Sequence, residues 1–158
     1  MATSSASVGQ AQVGTRRNPL ILLMSVVGTG LLLTMAGIHF YLWLDGGYRD
    51  VPAAPLIGPL FLANTVGGVV LGVALLVAPP RWHALVALLS LLFDAGTLLA
   101  LLVSLRTTWP FGFQESLQAP LVPTTIWVEA AGVVVLAVLT VVAARTAGYG
   151  FAQLRRKT

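Results

Sequence analysis

The chain has 158 residues, of which 57% are hydrophobic and only 9% charged, with a formal net charge of +4. Soluble domains carry roughly 25% charged residues, so this chain cannot solvate a globule and lipid must cover much of its surface. It contains no cysteine, which excludes disulfides, thiolate metal sites, iron–sulfur clusters and thiol redox catalysis.

Residues 1–17 are small and polar and are expected to form a disordered cytoplasmic tail. Thr15-Arg16-Arg17 before an apolar run has the outline of a twin-arginine signal, with Thr34-Met35-Ala36 as its cleavage site. The run continues to Leu44, longer than a signal h-region, and therefore reads as a retained span. This first span covers about 20–44, with Asn18 as cap and Pro19 at the first helical position. Ser25, Thr29, Ala36, His39 and Trp43 fall near one face of it. A turn-rich connection, Asp45 to Pro55, follows, and Tyr41, Trp43 and Tyr48 are expected at headgroup level.

The second span covers about 58–78, opened by Pro59 and closed by Pro79-Pro80. Asn64, Gly68 and Gly72 recur at four-residue steps, and Gly68 and Gly72 are expected to let a neighbouring helix approach closely. The short link from Pro79 to Trp82 predicts that the second and third helices pack side by side. The third span, about 83–105, carries Ser90, Asp94, Thr97 and Ser104. The next connection places Trp109, Phe111, Phe113 and Glu115 outside the hydrocarbon. They read as an interfacial anchor, a lid over the polar residues or a docking surface. The fourth span, about 123–144, carries Glu129, Gly132 and Thr140. Residues 146–158 form a basic tail whose Arg155, Arg156 and Lys157 suit anionic lipid.

Arg16, Arg17, Arg81, Arg145, Arg155, Arg156 and Lys157 fall on one side of the membrane, and Arg49 and Arg106 on the other. The positive-inside rule then places both termini in the cytoplasm. The expected architecture is an all-α, antiparallel four-helix transmembrane bundle over residues 18–145, in the cell membrane. The sequence pI is about 10.4, yet the basic residues flank the spans and form no aromatic-interleaved patch, so nucleic acid is not a partner. The excess of Arg over Lys, with much Ala, Val, Gly and Leu, suggests a high-GC bacterial source and its inner membrane.

Three ionisable residues, His39, Asp94 and Glu129, fall inside spans, where charge is costly and function is the default suspicion. At 1.5 Å per residue His39 lies about 8 Å, Asn64 and Glu129 about 9 Å, Thr97 about 12 Å and Asp94 about 16 Å below the outer ends of their helices. Four readings of this polar cluster stay open. In the first, Glu129 accepts a hydrogen bond from His39, Asn64 and Thr97 complete the set, and Asp94 is neutralised by a proton. The others are a proton or ion path, a metal site using His39, Glu129 and Met35 with an incomplete ligand set, and a lipid or quinone pocket around His39. His39 and His83 fall near opposite edges of the membrane, which argues against an intrachain bis-histidine haem; any cofactor or metal is otherwise unspecified.

Walker A, G-x-S-x-G and H-E-x-x-H motifs are absent, so the chain reads as non-catalytic. His39-x-Tyr41-x-Trp43, Gly47-Tyr48-Arg49, Gly58-Pro-Leu-Phe61 and Phe111-Gly-Phe-x-Glu115 resemble the pattern of uncharacterised actinobacterial four-span membrane proteins. In overall plan the chain is also similar to DoxX-like four-helix proteins, without a specific DoxX motif. The resemblance implies the architecture and no activity. Small size, missing catalytic motifs and the aromatic loop point to an accessory or assembly subunit of a membrane complex, partnered by lipid and by other membrane subunits or itself. The alternative is a small transport or ligand-binding unit built on the His/Asp/Glu cluster.

Overall fold

The computed structural model describes residues 18–52, 54–108 and 112–155, with 148–155 described by backbone alone. Four helices follow in order: α1 (Pro19–Leu44), α2 (Ile57–Val77), α3 (Pro80–Ser104) and α4 (Val122–Arg155). Among the described residues there is no strand. Each helix holds a stretch long and apolar enough to cross a membrane. In hydrocarbon, backbone N–H and C=O groups must be satisfied within the span, and a helix does this internally. The chain is therefore built as a multi-pass membrane protein.

Local chemistry sets the helix ends. The Asn18 side chain accepts from the Leu20 amide at 3.0 Å, and Pro19 opens α1 where its missing N–H costs nothing. Pro79 is extended (ψ 154°) and Pro80 starts α3, three residues before the His83 start expected from the apolar run. The fourth helix also departs from its expected end at Ala144 and continues to Arg155. The apolar run stops there, but a helix needs no apolar face once it has left the hydrocarbon. The basic tail is thus helical as far as Arg155; Arg156 and Lys157 lie outside the described residues, as does the expected N-terminal tail.

The helices form a ring in which α1 packs on α2 and α4, and α3 packs on α4. The α2 and α3 helices pack against each other, as the short Pro79–Trp82 link predicts, but theirs is the most sparsely packed of the four sides. Stripe placement explains this. The glycine stripe of α2 faces α1: a Cβ on Gly68 would meet the Leu32 carbonyl oxygen at 2.9 Å, and the Thr29 hydroxyl donates to the Gly72 carbonyl at 2.9 Å. Between α2 and α3 the Phe93 ring intervenes, its edge 2.6 Å from where a Gly67 Cβ would stand.

Lipid tails are as apolar as leucine, so burial alone does not drive these helices together; close packing and interhelical hydrogen bonds do. Leu32, Met35, Leu75, Ala87, Leu136 and Leu139 fill the centre. Leucines and valines cover the outside, with Leu23 and Leu99 62% exposed and Trp127 of α4 77% exposed.

At the end of the bundle where α1 starts, Ser25 Oγ lies 2.9 Å from His83 Nε2. The Ser25 proton goes to the Ile21 carbonyl at 2.7 Å, so the imidazole donates to the hydroxyl. His83 is accordingly buried and joins α3 to α1, rather than lying at the interface beside Arg81 and Trp82 as its position at a span edge suggested.

Candidate lipid-facing cleft and buried carboxyl pair

The loose α2–α3 side leaves a cleft of about 400 Å³. Its walls are mainly apolar, with Phe61, Phe93 and Gly96 among them, and polar side chains from all four helices reach it: His39, Asn64, Thr97, Ser104 and Thr125. Phe113 and Glu115 close its mouth. Along α3 the lining runs from Leu92 to Ser104, about 18 Å at the helical rise. Gly96 forms open wall, since a Cβ there would meet nothing within 4 Å.

His39 is held by its own helix. Its Nδ1 lies 3.0 Å from the Met35 carbonyl oxygen, and a carbonyl can only accept, so Nδ1 carries the hydrogen. In the neutral ring Nε2 is left as an acceptor. The expected His39–Glu129 hydrogen bond is therefore not formed, and neither Glu129 carboxyl oxygen has a partner in hydrogen-bond geometry among the described residues; its polar neighbours are Asp94 and Thr97. The sequence places the two at one depth; the side-chain geometry turns His39 back onto α1 and Glu129 toward α3.

The expected polar cluster thus divides in two. His39, Asn64 and Thr97 belong to the cleft, whereas Asp94 and Glu129 lie behind it in the α3–α4 seam, 2% and 1% exposed. The Asp94 carboxyl fills the space a Gly132 side chain would occupy. Glycine at 132 is what lets α4 accept this carboxyl, three residues beyond Glu129 on the same face. Thr97 links the two groups: its hydroxyl donates to the Asp94 carbonyl at 2.8 Å and lies 3.7 Å from the Met35 sulfur. Among the described residues no three His, Asp or Glu side chains converge as a metal site.

The mouth of the cleft is built from the connections. Gly47 turns the chain at φ +82°. A Cβ on Gly58 would run into the Arg49 carbonyl, so glycine there lets the first connection fold against α2. Tyr48 then turns inward and is buried, a correction to its expected place in a headgroup-level aromatic belt. It stacks on Phe61 at 4.5 Å, which in turn meets His39 at 5.0 Å. The Phe113 ring stands edge-on to Tyr48 at 5.9 Å.

The Tyr48 hydroxyl donates to Glu115 Oε2 at 2.8 Å. Burial first, and then the Glu115 carboxylate, hold this phenol well above the ordinary tyrosine range. The Glu115 amide donates to the Ser104 carbonyl at 2.9 Å, pinning the second connection to the end of α3. Leu121 enters α4 at φ +64°, a left-handed conformation uncommon for a branched residue, and packs into the same cluster. Phe113 and Glu115 are thus folded over the cleft, while Trp109 and Phe111 lie outside the described residues.

Sequence reasoning missed Phe61 as a cleft residue and Tyr48 as the ring stacked on it. The available signal was the Gly47-Tyr48-Arg49 turn and the Gly58–Phe61 segment, whose glycines mark close backbone approach. No protein-family model, curated protein or solved structure matches the chain.

Proposed function

We propose that this multi-pass membrane protein binds one amphipathic membrane lipid in the cleft between α2 and α3, a neutral lipid of the quinone or quinol class. The single observation that carries the reading is an apolar cleft of about 400 Å³ opening on the poorly packed side of the bundle, with His39, Asn64 and Thr97 gathered in its wall. Ligand sites of this size combine apolar walls with a few placed polar groups. His39 Nε2 accepts from a head-group hydroxyl, and the Asn64 amide donates to a carbonyl or ring oxygen. Among the described residues no Arg or Lys lines the cleft, and Glu115 closes it, so a phosphate head is disfavoured.

The proposal includes an antiparallel arrangement of consecutive helices with both termini in the cytoplasm. It is supported by the pairs Thr29–Gly72 across α1 and α2 and Asp94–Gly132 across α3 and α4, together with the distribution of basic residues. It also includes membership among the actinobacterial four-span proteins that the sequence resembles. Residues from each of the resembling segments, His39, Tyr48, Phe61, Phe113 and Glu115, meet at the mouth of this cleft.

The test is purification in mild detergent, solvent extraction and mass spectrometry of the extracted lipid, comparing the natural protein with Gly96→Phe. The natural chain is expected to carry about one neutral lipid per protomer, and Gly96→Phe to lose it while retaining its helical circular dichroism. Equal lipid in both, or phospholipid alone, refutes the reading. A lipid-free chain that co-purifies stoichiometrically with other membrane subunits replaces it with the accessory-subunit role.

A further inference from the structure

Three of the four oxygens of the carboxyl pair behind the cleft lack a partner in hydrogen-bond geometry among the described residues. Asp94 Oδ2, both Glu129 oxygens and Ser90 Oγ are buried with no hydrogen-bond partner among the described residues. Ser90 is one helical turn from Asp94 on α3 and 0% exposed. Buried polar groups in folded proteins are nearly always paired, because an unpaired one costs its desolvation. Here the unpaired atoms occur together, in two adjacent carboxyls and a hydroxyl.

The surrounding helices supply no compensating charge. The α2 sequence contains no ionisable residue, and α1 offers only His39 and Tyr41, of which His39 is turned onto Met35. The nearest cations by sequence, Arg106 just past the end of α3, Arg81 at its start and Arg145 on α4, are about 18 Å or more along the helices from Asp94 and Glu129. His83 is engaged with Ser25 at the far end. Two bare carboxylates in such a place are prohibitive. A proton on one carboxyl both removes a charge and creates the O–H donor that the neighbouring carboxyl lacks.

The surroundings of the pair differ toward the two ends of the bundle. Toward the mouth, Thr97 lies between the carboxyl pair and the cleft, its backbone one turn from Asp94 and its side chain in the cleft wall. Toward the opposite end, Leu32, Leu75, Ala87, Leu136 and Leu139, all at most 1% exposed, separate the pair from Ser25 and His83.

We propose that Asp94 and Glu129, with Ser90, form an intramembrane proton-binding site, loaded from the cleft side past Thr97 and closed to the other end by the leucine layer. The step is the reversible uptake of a proton by a carboxylate; no electron moves and no bond other than O–H forms. The site stands whether or not the cleft holds a lipid.

Infrared spectroscopy of the detergent-purified protein tests this without relying on any variant. The expected result is a carbonyl stretch of protonated carboxylic acid that shifts on transfer to deuterium oxide and does not respond to sodium or potassium chloride. Asp94→Asn and Glu129→Gln should each reduce that signal, and the double variant should abolish it. Gly96→Phe, which fills the cleft, should slow the deuterium shift several-fold, whereas Ser25→Ala at the sealed end should leave it unchanged. Absence of any protonated-acid signal in the natural protein overturns the proposal. A signal displaced by sodium or potassium also overturns it, in favour of a monovalent-cation site. Exchange in Gly96→Phe as fast as in the natural protein, or exchange accelerated by Ser25→Ala, overturns the one-sided route.

Discussion

Removing one oxygen at Tyr48 should unlatch the second connection from the first. Tyr48→Phe keeps the ring that stacks on Phe61 at 4.5 Å and deletes only the hydroxyl that donates to Glu115 at 2.8 Å. Hydrogen bonds to charged groups contribute about 1.5–3 kcal/mol. Tyr48 is 8% exposed but Glu115 is only half-buried, so the lower end applies, about 1.5 kcal/mol. At 1.4 kcal/mol per factor of ten, local opening of the connection should become about tenfold more frequent. The Glu115 amide, bonded to the Ser104 carbonyl at 2.9 Å, is the natural reporter, read by hydrogen exchange in micelles. Glu115→Gln and the double variant complete a cycle whose coupling should be about 1 kcal/mol or more. Additive effects, or exchange at Glu115 no faster in Tyr48→Phe than in the natural protein, would refute the latch.

Further outcomes follow from the same contacts. Gly58→Ala drives a Cβ into the Arg49 carbonyl and should cost about 1–3 kcal/mol by overpacking. Gly37→Ala, with nothing within 4 Å, should raise the thermal midpoint by removing a flexible mid-helix residue, about 0.5–1 kcal/mol; a comparable loss in both would contradict the packing described. Thr29→Val removes the α1–α2 hydrogen bond to Gly72 at 2.9 Å and should cost about 0.6 kcal/mol, the usual size within membranes, read by reversible unfolding in mixed micelles. Alkaline titration followed by phenolate absorbance should leave Tyr48 un-ionised beyond the ordinary tyrosine value of 10.0. The sign is that of a folded-state phenol that holds its proton more tightly than the unfolded one. The stabilisation is full below the unfolded value and is lost only as pH rises through the folded one. A phenolate signal from Tyr48 at the unfolded value would contradict its burial.

Much was legible in residue order because lipid constrains sequence so strongly. Helix-length apolar runs, the Asn18-Pro19 start and the Pro79-Pro80 break set the four spans, since a bilayer accepts little else. The polar stripes also marked the right faces: Ser25, Thr29, His39, Asp94, Thr97 and Glu129 are all buried. Gly68 and Gly72 announced a close approach, and α1 makes it.

What residue order could not decide was which stripe meets which. Helical spacing gives a face and a depth but no azimuth between helices, so His39 and Glu129 shared a level on paper while only the packed bundle turned one to its own helix and the other to α3. The open α2–α3 side is likewise tertiary, because Gly68 and Gly72 face α1 and Phe93 keeps α3 at a distance. Tyr48 joined the interior only because Gly47 and Gly58 let the first connection fold down onto Phe61. Hydrophobicity fixed that the chain is a set of membrane helices, since solvent transfer depends on composition alone. The cleft and the buried carboxyl pair arose from side-chain shape and small-residue gaps, which acquire meaning only when two surfaces meet.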